Sequence, residues 1–146
     1  MKIALAADHG GFELKEIIKE YLTADYEIID LGTYNEDSVN YPDYGIKAGE
    51  AVASKQADCG IIFCGTGIGI SIAANKVPGI RAALCHCVEY AKLSRQHNNA
   101  NILALGGRFL APAEAKEIVK AWLNTEFAGG RHQTRINIIN EYERKL

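Results

Sequence analysis

Gly60-Ile61-Ile62-Phe63-Cys64-Gly65-Thr66-Gly67-Ile68-Gly69-Ile70-Ser71-Ile72-Ala73-Ala74-Asn75-Lys76 is the stretch on which the fold turns. Residues 60–63 form a short, continuous apolar run, as in a strand covered on both faces. Three alternating glycines follow, then small and apolar residues that read as a helix stopping near Pro78-Gly79. Strand, glycine loop and helix start together turn backbone N–H groups toward an anion. Glycine lets a ligand come close to the backbone. A thiol and a hydroxyl, Cys64 and Thr66, sit inside the loop. The same residues could also make a simple tight turn beside a buried thiol. Two nucleotide motifs lose ground. In a G-x-G-x-x-G fingerprint Gly65 and Gly67 fit, but the third position falls on Ile70. A P-loop would need Gly-Lys-Ser/Thr at its end.

Four other segments share the strand signature: 3–7, 26–31, 80–84 and 102–105. Helical patterns separate them. Leu14, Ile17, Ile18, Tyr21 and Leu22 form one apolar stripe, with Glu13, Lys15, Glu16, Lys19 and Glu20 on the other faces. Further helices are expected at about 43–54, 88–96, 112–123 and 133–145, with Pro42 and Pro112 as helix openers. The alternation predicts a single-domain α/β fold. It is a three-layer α/β/α sandwich with a five-stranded, mostly parallel, Rossmann-like sheet. In such folds ligands bind at the carboxyl ends of the strands. Asp8-His9 follows the first strand, Cys64 the third and Gly106-Gly107-Arg108 the fifth, so these groups should converge on one edge. The polar loop from Gly32 to Asp43 is long for this architecture and is a candidate binding loop.

Composition narrows the function. The chain has 146 residues, 48% hydrophobic and 23% charged, with net charge −2, which describes a globular domain. It lacks the basic footprint of a nucleic-acid binder and any apolar run long enough to span a membrane. A strand-like pattern starts at Met1, with no signal peptide, so the expected compartment is the cytoplasm. Cys59, Cys64, Cys85 and Cys87 are then expected as thiols. Their spacing lacks the C-x-x-C pattern of zinc sites, and no metal is expected.

The motifs Ala7-Asp8-His9-Gly10-Gly11-Phe12, Tyr41-Pro42, Cys64 to Lys76, Ser94-Arg95-Gln96-His97-Asn98 and Gly129-Gly130-Arg131-His132-Gln133 occur in this order over nearly the whole chain. As an ordered set they resemble the type B ribose-5-phosphate isomerases, a family that includes galactose- and allose-6-phosphate isomerases. The resemblance implies a cofactor-free aldose–ketose isomerase acting on ribose 5-phosphate and ribulose 5-phosphate through an enediolate. It implies Cys64 as the base between C1 and C2. One subgroup uses a Glu at the position of Ile70, and this chain falls outside it. Thr66 and the loop groups Gly65, Gly67, Gly69 and Ser71 would meet the enediolate, with Asp8 handling hydroxyl and carbonyl protons. His9 and Tyr41 would line the sugar or phosphate end. His97 would open the ring, with Asn98 beside it. Arg108, Arg131 and Arg135 would hold the phosphate. The family's active site lies between two subunits, which implies a homodimer or tetramer. The partner would supply His97, Asn98 and the C-terminal arginines, and the helix at 133–145 would contribute to the dimer.

Read without the resemblance, these residues keep simpler roles open. Cys64 could be an inert core thiol or a nucleophile paired with His97. Asp8 could cap a helix. His97 could be a surface histidine, Tyr41 a packing residue, and the arginines a solvated basic face. The rival functions are isomerisation of a six-carbon sugar phosphate, a non-catalytic phosphate-binding module and a Cys–His hydrolase.

Overall fold

Hydrophobic alternation assigns each strand residue to one of two cores. In the computed structural model, which describes residues 1–146, five strands form one sheet. They are β1 (Lys2–Ala7), β2 (Glu27–Asp30), β3 (Cys59–Cys64), β4 (Ala82–Leu84) and β5 (Ile102–Gly106). The helices are α1 (Phe12–Leu22), α2 (Tyr41–Ala53), α3 (Ile68–Ala74), α4 (Val88–Asn98), α5 (Pro112–Leu123) and α6 (Arg131–Arg144). The strand order is β2-β1-β3-β5-β4 and every pairing is parallel. The sheet is thus wholly parallel. Helix α2 starts at Tyr41, two residues before the expected Asp43, which leaves a connecting loop over 31–40.

Ile3, Leu5, Phe63 and Leu105 point into one core with Leu14 and Ile18 of α1, Ala91 of α4 and Trp122 of α5. Ala4, Ala6, Ile62 and Ala104 point into the other, with Ala48 and Val52 of α2 and Ile70 of α3. Leftward steps along the sheet place their helix on the first face and rightward steps on the second, one hand throughout. The second face is lined by small residues, and its helices approach closely. A Cβ on Gly45 would lie 2.7 Å from the Ile70 carbonyl oxygen, and one on Gly49 would lie 2.8 Å from Val77. The topology brackets β3. The chain leaves β1 and β5 toward the first face but leaves β3 toward the second. Two switch-point crevices therefore flank the end of β3, the place where such sheets bind ligands.

Two features depart from a plain amphipathic reading. Lys15, assigned above to a solvent face, is fully buried. Its Nζ donates to Asp30 Oδ1 and Oδ2 at 2.8 and 2.9 Å and to Glu16 Oε2 at 2.8 Å. It also lies over the rings of Phe12 and Tyr34, at 5.5 and 5.7 Å from their centroids. The side chain is long enough to cross under α1 and meet the end of β2. Asp30 in turn accepts from Lys19 at 2.9 Å and from the Gly32 N–H at 2.9 Å, so it anchors the loop after β2. Burial alone would raise the Asp30 pKa, but the two ammonium groups and the Gly32 amide outweigh it and hold the carboxyl below its usual value. The second feature is Gly11, where a Cβ would lie 2.4 Å from the Phe63 backbone. Helix α1 can start so close to β3 only because this side chain is absent.

Asp30→Ala leaves the buried Lys15 ammonium with Glu16 as its one carboxylate and should cost about 3–5 kcal/mol in urea unfolding. Lys15→Met leaves Asp30 with Lys19 and Gly32 and should cost less than about 2 kcal/mol. Because the folded carboxyl titrates low, the wild-type advantage over Asp30→Ala should be full above about pH 5 and shrink as pH falls below about 4. Gly11→Ala, which opposes rigid backbone, should cost at least about 1–3 kcal/mol.

Candidate active site

The loops after β1, β3 and β5 meet over the end of β3. Ala7 is in register with Phe63, and Cys64 with Gly106. Past the strands the contacts continue. The Asp8 N–H donates to Phe63 O at 3.2 Å, Gly107 N–H to Cys64 O at 2.8 Å and Arg108 N–H to Gly65 O at 3.1 Å. Missing side chains allow this closeness. A Cβ on Gly106 would lie 2.6 Å from Thr66 O, one on Gly107 2.9 Å from Gly10 O, and one on Gly10 3.0 Å from Gly65 N.

Cys64 is buried at the end of β3, and its Sγ accepts the Gly67 N–H at 3.1 Å. Gly67 makes this turn at φ +81°, a left-handed conformation suited to glycine. The contact sets an N–H donor on the sulfur, a charge-assisted bond whenever the sulfur is a thiolate. Thr66 is exposed beside it, and its Oγ1 accepts the Ile68 N–H at 3.1 Å. Ile70 is fully buried in the second core. Ser71 is also buried, and its hydroxyl donates to Ile68 O at 2.7 Å, so it is turned into its own helix. Gly69 leaves room for the Tyr41 ring, which would lie 2.7 Å from a Cβ there. Tyr41 is the first residue of α2, which brings the second-face helix to the loop.

From the other side comes Asp8, only 7% exposed. Its Oδ1 accepts the Gly11 N–H at 3.1 Å, and its second oxygen has no partner within the chain. The residue thus combines the turn role with a free carboxylate oxygen. His9 Nδ1 accepts the Val39 N–H at 3.2 Å, which ties the 31–40 loop to this edge. In the neutral ring that bond leaves the proton on Nε2. The Arg108 guanidinium lies against Gly10 and Gly65, and it makes no ion pair. Asp8, His9, Tyr41, Cys64 to Ser71 and Arg108 therefore share one edge. It holds a cation, an amide cradle, a thiol and a carboxylate, a set suited to an anionic ligand and proton transfer.

The other four candidates lie elsewhere. Helix α4 runs antiparallel to the strands and delivers His97 and Asn98 to the start of β5, where Ile102 pairs with Gly60. Cys64 is at the far end of the same ladder, about 13 Å away at the rise of a parallel strand. Arg131 and Arg135 open α6, which is joined to the end of α4. The Ala128 N–H donates to Gln96 O at 3.0 Å, and the His97 and His132 rings stack at 4.3 Å with 13° between planes. His132 was given no role by sequence reading, since nothing in its position signals the stack. The Asn99 turn that ends α4, at φ +44°, is clamped by Arg81 Nη2 on Asn99 O and by Arg95 Nη1 on Asn99 Oδ1, both at 3.0 Å.

The remaining cysteines are free, like Cys64. Burial pushes the Cys59 thiol up to about 12 and Cys85 up to about 11, which suits inert core thiols. No group of three or more His, Cys, Asp or Glu is arranged to hold a metal ion.

Comparison with known proteins matches this geometry to a lineage. The chain is 48% identical over 145 residues to ribose-5-phosphate isomerase B of Escherichia coli, covering 99% of this chain and 97% of the relative. It superposes on the ribose-5-phosphate isomerase B of Clostridium thermocellum with TM-score 0.98 at 55% identity, over 99% of both chains. It superposes on the Mycoplasma genitalium ribose-5-phosphate isomerase B with bound ribulose-5-phosphate with TM-score 0.94 at 43% identity, over 99% of this chain and 97% of the other. The Ribose/Galactose Isomerase family model matches residues 3–139, and the chain belongs to that family.

Proposed function

We propose that this protein interconverts ribose 5-phosphate and ribulose 5-phosphate through an enediolate, in a site completed by a second copy of the chain. The observation that carries the reading is the edge at β3, where Cys64 Sγ, the Asp8 carboxylate and Arg108 meet an open amide loop. Relatives at 48% identity and above bear the isomerase name, and one related structure holds ribulose-5-phosphate.

The chemistry assigns a role to each group. Ring opening breaks the C1–O4 bond and makes the C1 carbonyl. His97 of the second copy gives a proton to O4 while Asp8 takes the proton of the C1 hydroxyl. Cys64 as thiolate then removes the C2 proton, and the electron pair moves to O1 to give the enediolate. The free N–H groups of the loop and the Thr66 hydroxyl face the negative oxygen. Asp8 then gives O1 the proton it took and accepts the proton of the C2 hydroxyl, the C2 oxygen becomes the carbonyl, and the Cys64 thiol returns its proton to C1. Exchange with water resets Asp8 and His97. A phosphate carries nearly two charges, and Arg108 with Arg131 and Arg135 of the second copy supplies planar, paired donors. His9 and Tyr41 bound the sugar between these ends.

The second copy is argued from placement and surface. His97 and Asn98 cannot reach Cys64 along their own sheet. Helix α6 has one buried side chain, Ile136, over 14 residues, too little to hold it by its own packing. Ile68 and Ile72 on α3, Tyr90 on α4, Phe109, and Ile138 and Tyr142 on α6 are each more than half exposed. Such a set of apolar side chains on the β4 side of the sheet suits a self-complementary interface.

Cys64→Ala should lower ribose 5-phosphate conversion at least about 100-fold with unchanged circular dichroism, since it removes the base. Allose 6-phosphate is the comparison substrate, and faster turnover of it would reassign the sugar. Cys64→Ala and His97→Ala, each impaired alone, should complement when subunits are mixed and exchanged. Random pairing makes half the dimers mixed, each with one intact site, so recovery should approach about one quarter of wild type. No recovery after proven exchange would place both residues in one subunit's site.

A further inference from the structure

His132 lies outside every role assigned so far, yet it is the side chain packed face to face on the ring-opening histidine. The rings are 4.3 Å apart and 13° from parallel. His97 stands on the last turn of α4 and is exposed, so without a neighbour its imidazole would rotate among several positions. His132 is on the first turn of α6, and the Ala128–Gln96 hydrogen bond holds that turn against α4. The glycine pair before α6, with φ +69° and +58°, allows the sharp reversal that brings it there.

Resting on the ring-opening role of His97, we propose that His132 is a positioning residue for that step. Stacked on His97, it fixes the plane of the imidazole that must deliver a proton to the sugar ring oxygen.

The charges around the pair fit that division. Two stacked imidazoles do not both carry a proton readily, because like charges repel at this distance. Loss of water at the stacked face, then His97, Arg131 and Arg135, hold the His132 pKa below its ordinary value. Arg95, the other cation on the end of α4, is turned away and tied to Asn99 Oδ1, Ala100 O and Thr125 O. His132 is thereby held toward its neutral form, and His97 is the member of the pair presented to substrate. His132 remains the neutral plate beneath it.

The test separates ring opening from proton transfer on carbon. Ribulose 5-phosphate has no ring to open, because its C5 oxygen is esterified. Enzyme in D2O should exchange the C1 proton of ribulose 5-phosphate without using His97. Both reactions are followed by NMR for the wild type, His132→Ala, His132→Phe and His97→Ala. His132→Ala should slow ribose 5-phosphate consumption about 10- to 100-fold, part of what a positioned acid supplies, while exchange into ribulose 5-phosphate falls less than about threefold. His97→Ala should show the same asymmetry more strongly. His132→Phe keeps a flat ring under His97 and should restore ribose consumption to within about threefold of wild type. Equal loss of both reactions in His132→Ala, or no loss in either, would overturn the positioning role. A wild-type enzyme that neither consumes ribose 5-phosphate nor exchanges ribulose 5-phosphate would overturn the isomerase reading itself.

Discussion

Backbone meets backbone at the carboxyl end of β3, and the rest of the site depends on that contact. Gly10 and Gly11 after β1, Gly65 after β3, and Gly106 and Gly107 around the end of β5 each leave a gap that a methyl group would close. With side chains there, the three loops would stand apart, and Asp8, Cys64 and Arg108 would face separate stretches of solvent. Without them, the loops hydrogen-bond to one another, and Asp8, Cys64 and Arg108 share one edge of the sheet. Among the glycines, Gly65 sits in the loop after β3, where an amide without an acceptor in the chain can face a ligand.

The same topology that creates the edge also divides the chemistry. In a parallel sheet every connecting helix must return the chain to the starting edge. A residue at the end of such a helix is therefore carried away from the strand ends. His97 and Asn98 end α4, and α6 starts beside them, so two stacked imidazoles, an amide and two guanidiniums gather at the opposite pole. For the reaction proposed, neither pole holds all the groups assigned to it. Under the proposed function, joining two copies would bring the two poles together without any new element, and α6, with one buried side chain, leaves most of its surface open for that contact. The arginine clamps on the Asn99 turn stiffen the segment that carries the His97 pole.

Much of this was legible in the residues. The apolar runs at 3–7, 59–63 and 102–105 named the central strands, because strands covered on both faces need continuous hydrophobic sequence. Gly65, Gly67 and Cys64 marked the loop, because glycine and a thiol after such a run have few other uses. Lys15 was misread, since helical periodicity records polarity and not reach. A lysine beside the apolar stripe looks solvated unless the position of Asp30, fifteen residues on, is known. Ser71 illustrates a second limit, because its hydroxyl is turned toward Ile68 O by the helix itself. The stack of His97 on His132 was invisible because their 35-residue separation contains no periodic signal.

The sequence by itself determined the element types, the five strands and the loop that carries the thiol. Those properties follow from local chemistry: hydrophobic period, glycine freedom and proline placement. Resemblance of ordered motifs added the family. Tertiary structure alone decided the strand order β2-β1-β3-β5-β4, the burial of Lys15 beneath α1 and the separation of Cys64 from His97. These depend on how far apart in space two distant residues come to rest. That distance is set by packing of whole layers and by the direction in which each helix must run, and no local pattern of residues encodes it.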